Sequence, residues 1–409
     1  MPLRNSPTIA HTRFATFSPG AAIGLLFGLL ILIGAGLALP PLGKPGGSAR
    51  GGDALLYKQI AARVAKGEGY YQVVAAEHRL SDYPLKPFTA VRQPLLAETA
   101  ATLGPGGADL LMRLLAVVAV VGTVMRLAPR LRPPFREAAI LLSATSAGAF
   151  VQAGMWVWHD IWAGLLVALA LACRTRRRWG ASVLLGLLAA AVRELAFPFL
   201  LVMGAAAWWD GNRREALAWF AAAGIASALL ALHAINVQAV LRPGDPTSPG
   251  WLTLGGLRFD LALARQTSLL IALPAWITAI VTPLALLGWS AWRGAYASRV
   301  IAMLGLWMTT FLVVGRPDNS YWGFLFAPLL PVVLIQADLA VARAQHHAEQ
   351  RPFFFPALVD GKAQRLVEGD ALLQIVDRQG GNDGGDLHSF LRCRHDSLLC
   401  FVLCRSSAG

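Results

Sequence analysis

Asp53 is the first residue of this 409-residue chain whose type and position suggest chemistry. It follows the first long apolar stretch and opens a segment with helical spacing. A carboxylate in this position acts either as a helix N-cap, which accepts backbone N–H bonds, or as a general base that removes a proton from a hydroxyl group. The residue alone leaves both interpretations open.

His159 and Asp160 form a second candidate site at the end of another apolar stretch. A neutral histidine beside a carboxylate can orient a substrate hydroxyl, bind a phosphate or ligate a metal ion. In the alternative interpretation, Asp160 caps the helix that follows. The spacing does not separate these roles.

Arg193 and Glu194 interrupt the apolar stretch 180–209. Ionisable side chains among membrane helices cost a few kcal/mol or more, and they usually face a cavity or a partner. The planar guanidinium of arginine can hold two phosphate oxygens at once, so Arg193 is a candidate phosphate ligand that Glu194 would position. The alternative is a structural ion pair with another helix.

Asp318, Asn319 and Tyr321 lie in a short polar and aromatic turn that fits a sugar-binding site. An ordinary turn with aromatic residues at the membrane interface is the alternative. Arg92 lies in a long polar segment with His78 and Lys86, and it is a further candidate for contact with an anionic substrate. Solvated loop charges are the alternative for these three residues.

The composition indicates a membrane protein. Hydrophobic residues make up 56% of the chain, charged residues only 14%, and the mean hydropathy is +0.53. The net charge of +13 would suit a nucleic-acid-binding protein, but the arginines cluster in short loops between apolar stretches. That distribution is typical of cytoplasmic loops and of contact with anionic lipids, so no nucleic-acid partner is predicted.

The apolar stretches predict an all-α, polytopic fold with about ten transmembrane helices. The segment 180–209 is either two short helices with the charged pair at their outer hinge or one tilted helix. The long first loop, 40–108, is extracytoplasmic in this topology and carries an amphipathic, membrane-surface helix at 53–66. The predicted spans are 20–39, 110–127, 138–154, 161–173, two within 180–209, 216–240, 268–288, 300–314 and 324–342.

This topology places all four candidate groups on the outer side of the membrane. Residues 1–342 form the predicted membrane domain, with a cytoplasmic N-terminus, and 343–409 form a disordered cytoplasmic tail. The four cysteines predict no disulfide framework outside the cell, and the tail cysteines and histidines lack the spacing of a zinc site.

The segment Gly52–Ala61, followed by Gly67-Glu68-Gly69-Tyr70-Tyr71, resembles the first outside loop of GT-C glycosyltransferases. These polytopic enzymes include protein O-mannosyltransferases and lipid A aminoarabinose transferases. The resemblance implies an inner-membrane enzyme that moves a sugar from a polyprenyl-phosphate donor to an acceptor hydroxyl on the extracytoplasmic face. Asp53 would be the catalytic base.

The same resemblance implies that Arg193 stabilises the phosphate leaving group. The pairs His159-Asp160 and Asp318-Asn319 would position the donor or the acceptor. Many members carry two adjacent acids, whereas Asp53 is flanked by Gly52 and Ala54. The sequence therefore predicts no defined metal site or cofactor, and a divalent metal at Asp53 is left open.

A multi-pass transporter or flippase for a lipid-linked or anionic solute is the alternative function. Transporters tend to show internal repeats and a binding site near the membrane midplane. The chain shows no internal repeat, and its carboxylates lie at the outer ends of the predicted spans. Both observations favour the enzyme. A non-catalytic assembly partner is a third possibility.

Overall fold

The computed structural model describes residues 13–42, 52–130, 136–137, 140–141, 143, 148 and 150–330. Every regular element in these ranges is helical, which confirms the all-α prediction for this part of the chain. Eleven α-helices are described in full: α1 Pro19–Ala38, α2 Gly52–Val64, α3 Tyr70–Leu80, α4 Leu95–Leu127, α5 His159–Cys173, α6 Gly180–Val192, α7 Phe197–Trp209, α8 Arg213–Val240, α9 Gly256–Gln266, α10 Ala275–Ala291 and α11 Ala295–Phe311.

Three of the described helices are long and apolar enough to cross a membrane, namely α1, the stretch Phe88–Leu127 that includes α4, and α8. Their outer faces expose large apolar side chains; Phe27 of α1, Met125 of α4 and Ile235 of α8 are each more than 60% exposed. Such faces are stable against lipid chains and costly in water. The chain is therefore a membrane protein, while the total of ten spans stays a prediction.

Helix α5 is the centre of the bundle. All of its residues except Cys173 are buried, as expected for a helix that is apolar on every side. It packs against α4, α6 and a 3₁₀ segment, Pro317–Leu325. Gly164 allows this last contact, because a Cβ at Gly164 would collide with the backbone carbonyl of Phe324. Glycine therefore brings the 317–325 segment against the first half of α5.

The segment 180–209 forms two short helices, α6 and α7. The chain leaves helical geometry at Arg193, whose φ is −147° and ψ is 115°. Pro198 follows in the first turn of α7, where proline is tolerated because that N–H would be unpaired in any case. Of the two predicted arrangements, the structure has two helices with the charged pair at the hinge.

A second group of ionic contacts lies at the opposite end of α5 from His159. Arg174 follows the end of α5 and makes two hydrogen bonds of 2.7 and 2.8 Å to Glu215 of α8. Arg299 of α11 binds Asp210, which follows α7, at 2.6 Å. Arg126 of α4 donates to the backbone oxygen of Arg174. Arg126, Arg174 and Arg299 therefore connect the helix ends at this end of the bundle.

Glu215→Ala should destabilise the protein strongly, because it leaves the buried Arg174 guanidinium without its carboxylate. Glu215 is fully buried and Arg174 is 5% exposed. Breaking a buried pair of this kind typically costs about 3–5 kcal/mol. Thermal unfolding in detergent would show a large fall in midpoint. Glu137→Ala is the matched control, because Glu137 pairs with Arg136 on an exposed surface; an equal fall in both variants would contradict the prediction.

The predicted amphipathic helix at 53–66 is confirmed as α2, which buries Leu56, Ile60, Ala61 and Val64. Two other helices were not predicted. Helix α3 begins six residues after the end of α2, and α9 lies between the predicted spans 216–240 and 268–288. Both are short and amphipathic, so their polar residues resembled loop sequence.

Three span boundaries also differ from the prediction. Helix α10 begins at Ala275, within the predicted span 268–288. Helix α4 begins at Leu95, ahead of residue 110, and it bends at Gly104, where φ is +72°, just before Pro105. Arg299, expected in a turn, lies inside α11 and is buried. Most of the predicted span 138–154, the part of 324–342 beyond 330, and the tail 343–409 lie outside the described residues.

Candidate functional site

Arg193 and its two carboxylate partners connect the start of α5 to the hinge between α6 and α7. The Nε atom of Arg193 donates to Oδ1 of Asp160 at 2.8 Å, and its Nη1 atom donates to Glu194. The guanidinium also lies 5.8 Å from the ring centre of Trp322. Arg193 is only 1% exposed. Its charge is therefore already neutralised by protein groups.

Arg92 lies beside this triad and has weaker partners. It donates to the hydroxyl groups of Tyr57 and Tyr321, each at 3.2 Å, and its nearest carboxylate contact is Glu194 at 3.7 Å. Burial raises the pKa of both phenols above the usual value, so they are neutral at pH 7. Arg193 donates its hydrogen bonds to carboxylates, whereas Arg92 donates its hydrogen bonds to uncharged oxygens.

Three side chains hold the backbone around Arg92. Tyr70 of α3 donates to the Arg92 carbonyl at 2.6 Å, and His233 of α8 bonds the Val91 carbonyl at 3.1 Å. Gln93 donates to the carbonyl of Ala190, near the end of α6, at 3.0 Å. Arg92 is therefore positioned by α3, α6 and α8 together, since each helix contacts its short segment.

Asp53 lies in the first turn of α2, four residues before Tyr57, so the two side chains share one face of the helix. Burial is the main reason for the raised pKa of Tyr57; Arg92 lowers it, and the negative charge of Asp53 raises it further. Asp53 also acts electrostatically on Tyr321 and His78. Arg92, Arg193 and their partners form an arginine cluster, and the half-buried Asp53 lies one helical turn from one of those partners, Tyr57.

Aromatic rings complete the site. The ring of His159 lies 5.0 Å from that of Tyr57, and the ring of Trp158 lies 5.2 Å from that of Tyr321. His159 is 4% exposed, and its Nδ1 atom is buried without a hydrogen-bond partner in the described part of the chain. A carbohydrate ring stacks well on faces of this kind, because its C–H groups are apolar.

A small cavity adjoins the cluster and has a volume of about 10 Å³, which is room for about one water molecule. A sugar does not fit in it. The cluster therefore adopts a closed arrangement in which Arg92 and the two tyrosines fill the space between the helices. The cavity is lined by Tyr57, Ile60, Tyr70, Val74, His78, Arg92, Leu96, Ala97, Trp156, Val157 and His159.

The structure brings together most of the predicted site residues. The cluster contains Arg92, His159, Asp160, Arg193, Glu194 and Tyr321, and Asp53 lies one helical turn from its member Tyr57. Asp318 pairs with Arg316 on the surface, and Asn319 accepts a hydrogen bond from the Arg316 backbone at 3.2 Å, so both have local roles in the turn. We find no contact between either residue and the cluster among the described interactions.

Sequence reasoning missed Tyr57, Tyr70, Gln93 and His233. Tyr57 carried a usable signal, because it lies one helical turn after Asp53. Tyr70 and His233 contact the carbonyls of Arg92 and Val91 across 22 and 142 residues of sequence, and Gln93 contacts Ala190 across 97. No local pattern marks such contacts.

Within the described ranges, no group of three His, Cys, Asp or Glu side chains is arranged to hold a metal ion. The donor set around Asp53 is one carboxylate with tyrosine and histidine rings, so we assign no step to a metal. Comparisons with protein-family models, curated proteins and solved structures found no match to this chain. Functional assignment therefore depends on the geometry of the site.

His78 should make the stability of the protein depend on pH. Burial lowers its pKa from 6.5 to about 4, and its Nδ1 bonds the Pro84 carbonyl at 2.9 Å. The unfolded chain takes up a proton on this histidine below about pH 6.5, but the folded chain does so only near pH 4. Stability present above pH 6.5 is therefore lost as the pH falls toward 4, by about 2 kcal/mol at pH 5.

Thermal unfolding at pH 7.5 and pH 5.0 would measure this loss. His78→Gln keeps a donor for the Pro84 carbonyl and cannot titrate, so its midpoint should change less with pH than that of the wild type. Equal pH dependence in the two proteins would show that His78 is not responsible.

Proposed function

We propose that this protein is a membrane glycosyltransferase of the GT-C type. It would transfer a sugar from a polyprenyl-phosphate donor to an acceptor hydroxyl on the extracytoplasmic face of the inner membrane. One observation supports this most directly. Asp53, the acid at the start of the helix after the first span, lies one helical turn before Tyr57, whose hydroxyl accepts a hydrogen bond from the buried Arg92.

Arg92, rather than Arg193, is the better candidate for the phosphate contact. Arg193 is held by Asp160 and Glu194, so a phosphate would have to displace a carboxylate. At Arg92 the two hydrogen bonds that it would displace go to neutral phenol oxygens, and the one carboxylate contact, to Glu194, is longer, at 3.7 Å. Charge-assisted bonds to phosphate are about twice as strong as neutral ones, so this exchange is favourable. Arg193 then acts as a positioning residue that fixes Asp160 and Glu194.

In the proposed reaction, Asp53 removes the proton from the acceptor hydroxyl as its oxygen attacks the anomeric carbon of the sugar. A bond forms between that oxygen and the anomeric carbon. The bond from this carbon to the phosphate oxygen breaks, and its electron pair leaves with the polyprenyl phosphate. Arg92 stabilises the negative charge that develops on the phosphate. The leaving group needs no proton.

His159, Trp158 and Tyr321 would hold the sugar. The His159 ring packs against Tyr57 and the Trp158 ring against Tyr321, and aromatic faces suit the apolar side of a sugar ring. The apolar outer faces of α4 and α8 would meet the polyprenyl chain in the bilayer. Of the acceptor molecule, only the reacting group is specified, and it is a hydroxyl.

The experiment that tests the proposal uses the full chain reconstituted in vesicles. Polyprenyl-phosphate donors with different radiolabelled sugars are added with a membrane extract that supplies acceptors. A labelled product and free polyprenyl phosphate should appear only with the active protein. Movement of the labelled donor across the vesicle membrane without any product would instead identify a flippase.

A further inference from the structure

A second polar groove lies between the loop before α4 and the end of α8, and none of the residues discussed as catalytic lines it. Its volume is about 600 Å³, far larger than the cavity in the cluster. One wall comes from the loop and the other from one face of α8 and the residues after it. The lining residues are Lys86, Pro87, Phe88, Ala234, Val237, Gln238, Leu241, Arg242 and Pro243.

The groove is positively charged. Lys86 and Arg242 line it, and neither side chain has a carboxylate within ion-pair distance in the described part of the chain. The neighbouring acid, Asp245, has Arg79 as its main partner, which binds both its oxygens at 2.7 and 2.8 Å; it also accepts from the backbone N–H of Arg242 and lies within electrostatic reach of Lys86. The hydrogen bonds from Arg79 lower the pKa of Asp245 to about 2, so this carboxylate stays paired with Arg79.

The groove also lies at the end of a helix that is long and apolar enough to cross a membrane. Helix α8 has 28 residues and is one of the three helices of membrane-spanning length, and the groove adjoins its last residues. Carbonyl groups at a helix C-terminus repel anions. Here Arg79 donates to the carbonyl of Val240 at 2.8 Å and offsets this effect. An anion beside Lys86 and Arg242 is therefore favoured at this membrane boundary.

One face of α8 extends the groove into the apolar region. Gln238 and Ala234 line the groove. Going back along α8 from Ala234, residues at spacings of three and four lie on the same helix face. These residues are exposed, and they are Ala231, Ser227 and Gly224. The surface at Gly224 is open, because a Cβ added there would meet no atom within 4 Å. From Ala234 to Gly224 the helix rises roughly 15 Å, which is the thickness of one hydrocarbon leaflet.

We propose that this groove binds an anionic phospholipid. Lys86 and Arg242 hold the headgroup phosphate, and one acyl chain lies along the face of α8 from Ala234 to Gly224. This site is separate from the proposed transfer reaction and does not depend on it. The two are physically adjacent, because Phe88 of the groove contacts His233 at 6.2 Å between ring centres, and His233 holds the backbone beside Arg92.

The test measures thermal unfolding of the delipidated full chain in neutral detergent while lipid is added. Phosphatidylglycerol is compared with phosphatidylcholine carrying the same acyl chains. We expect phosphatidylglycerol to raise the unfolding midpoint at much lower concentration. In the double variant Lys86→Gln/Arg242→Gln, the half-saturating concentration should rise roughly thirtyfold, since each basic residue near a lipid surface contributes a factor of about five.

Lys66→Gln/Arg177→Gln is the matched control, because it removes the same charge from exposed positions outside the groove. It should behave like the wild type. Equal effects of the two lipids, or equal losses in the two double variants, would overturn the proposal. Full stabilisation by glycerol 3-phosphate alone would overturn it as well, because the groove would then take a soluble phosphate and the face of α8 would have no role.

Discussion

Asp53→Asn should reduce the rate of sugar transfer by a factor of about 10² to 10⁴, the usual contribution of a general base. The amide has almost the same shape as the carboxylate but cannot accept the proton of the acceptor hydroxyl. Because Asp53 is half-buried at the start of α2, the change should leave the fold intact. Initial rates with a labelled polyprenyl-phosphate sugar would measure the loss.

Glu98→Gln is the control for this substitution. Glu98 is an exposed acid in the first turn of α4, so the change also removes one negative charge from a helix N-terminus. Transfer by this variant should equal that of the wild type. If Asp53→Asn retained full activity under the same conditions, Asp53 would not be the general base and the proposed mechanism would be wrong.

Arg92→Gln should reduce kcat/KM by a factor of about 10² to 10³, the usual effect of removing a group that stabilises negative charge in the transition state. Arg92→Lys should recover only part of this loss. Lysine keeps the charge but lacks the planar fork that donates to two oxygens at once. Kinetics with the labelled donor, together with the unfolding midpoint of each variant, would separate catalysis from stability.

The contrasting variant is Arg193→Lys. Arg193 is bound by Asp160 and Glu194, so its replacement should lower the unfolding midpoint by more than Arg92→Lys does. If Arg193→Lys left stability unchanged and removed only transition-state stabilisation, the phosphate role would belong to Arg193. The two arginines can thus be assigned by one set of measurements.

Local patterns predicted the parts of the fold that depend on neighbouring residues. The helix at Asp53 follows from helical spacing, and the interruption at Arg193 follows from the cost of a charge among apolar residues. The partner of Arg193 could not be predicted, because Asp160 lies 33 residues earlier and many acids are equally compatible with the sequence.

The role of Arg92 shows the same limit. Its neighbours in sequence, Val91 and Gln93, resemble ordinary loop residues. Its partners Tyr57 and Tyr321 are 35 and 229 residues away, and only the packing of α2 and the 317–325 segment brings them to one place. Helix α9 was missed for a different reason, since the charges of Arg258, Asp260 and Arg265 reduce the apolar pattern on which a helix prediction depends.

The hydrogen bonds from Arg92 to Tyr57 and Tyr321 have a kinetic consequence. While both are in place, the cavity beside Tyr57 and Arg92 is too small for a sugar, so we expect a donor to be accommodated only after at least one bond breaks. Association would then be limited by the frequency of this opening, and its rate should level off at high donor concentration. Tyr57→Phe removes one of the two bonds, so it should raise that plateau.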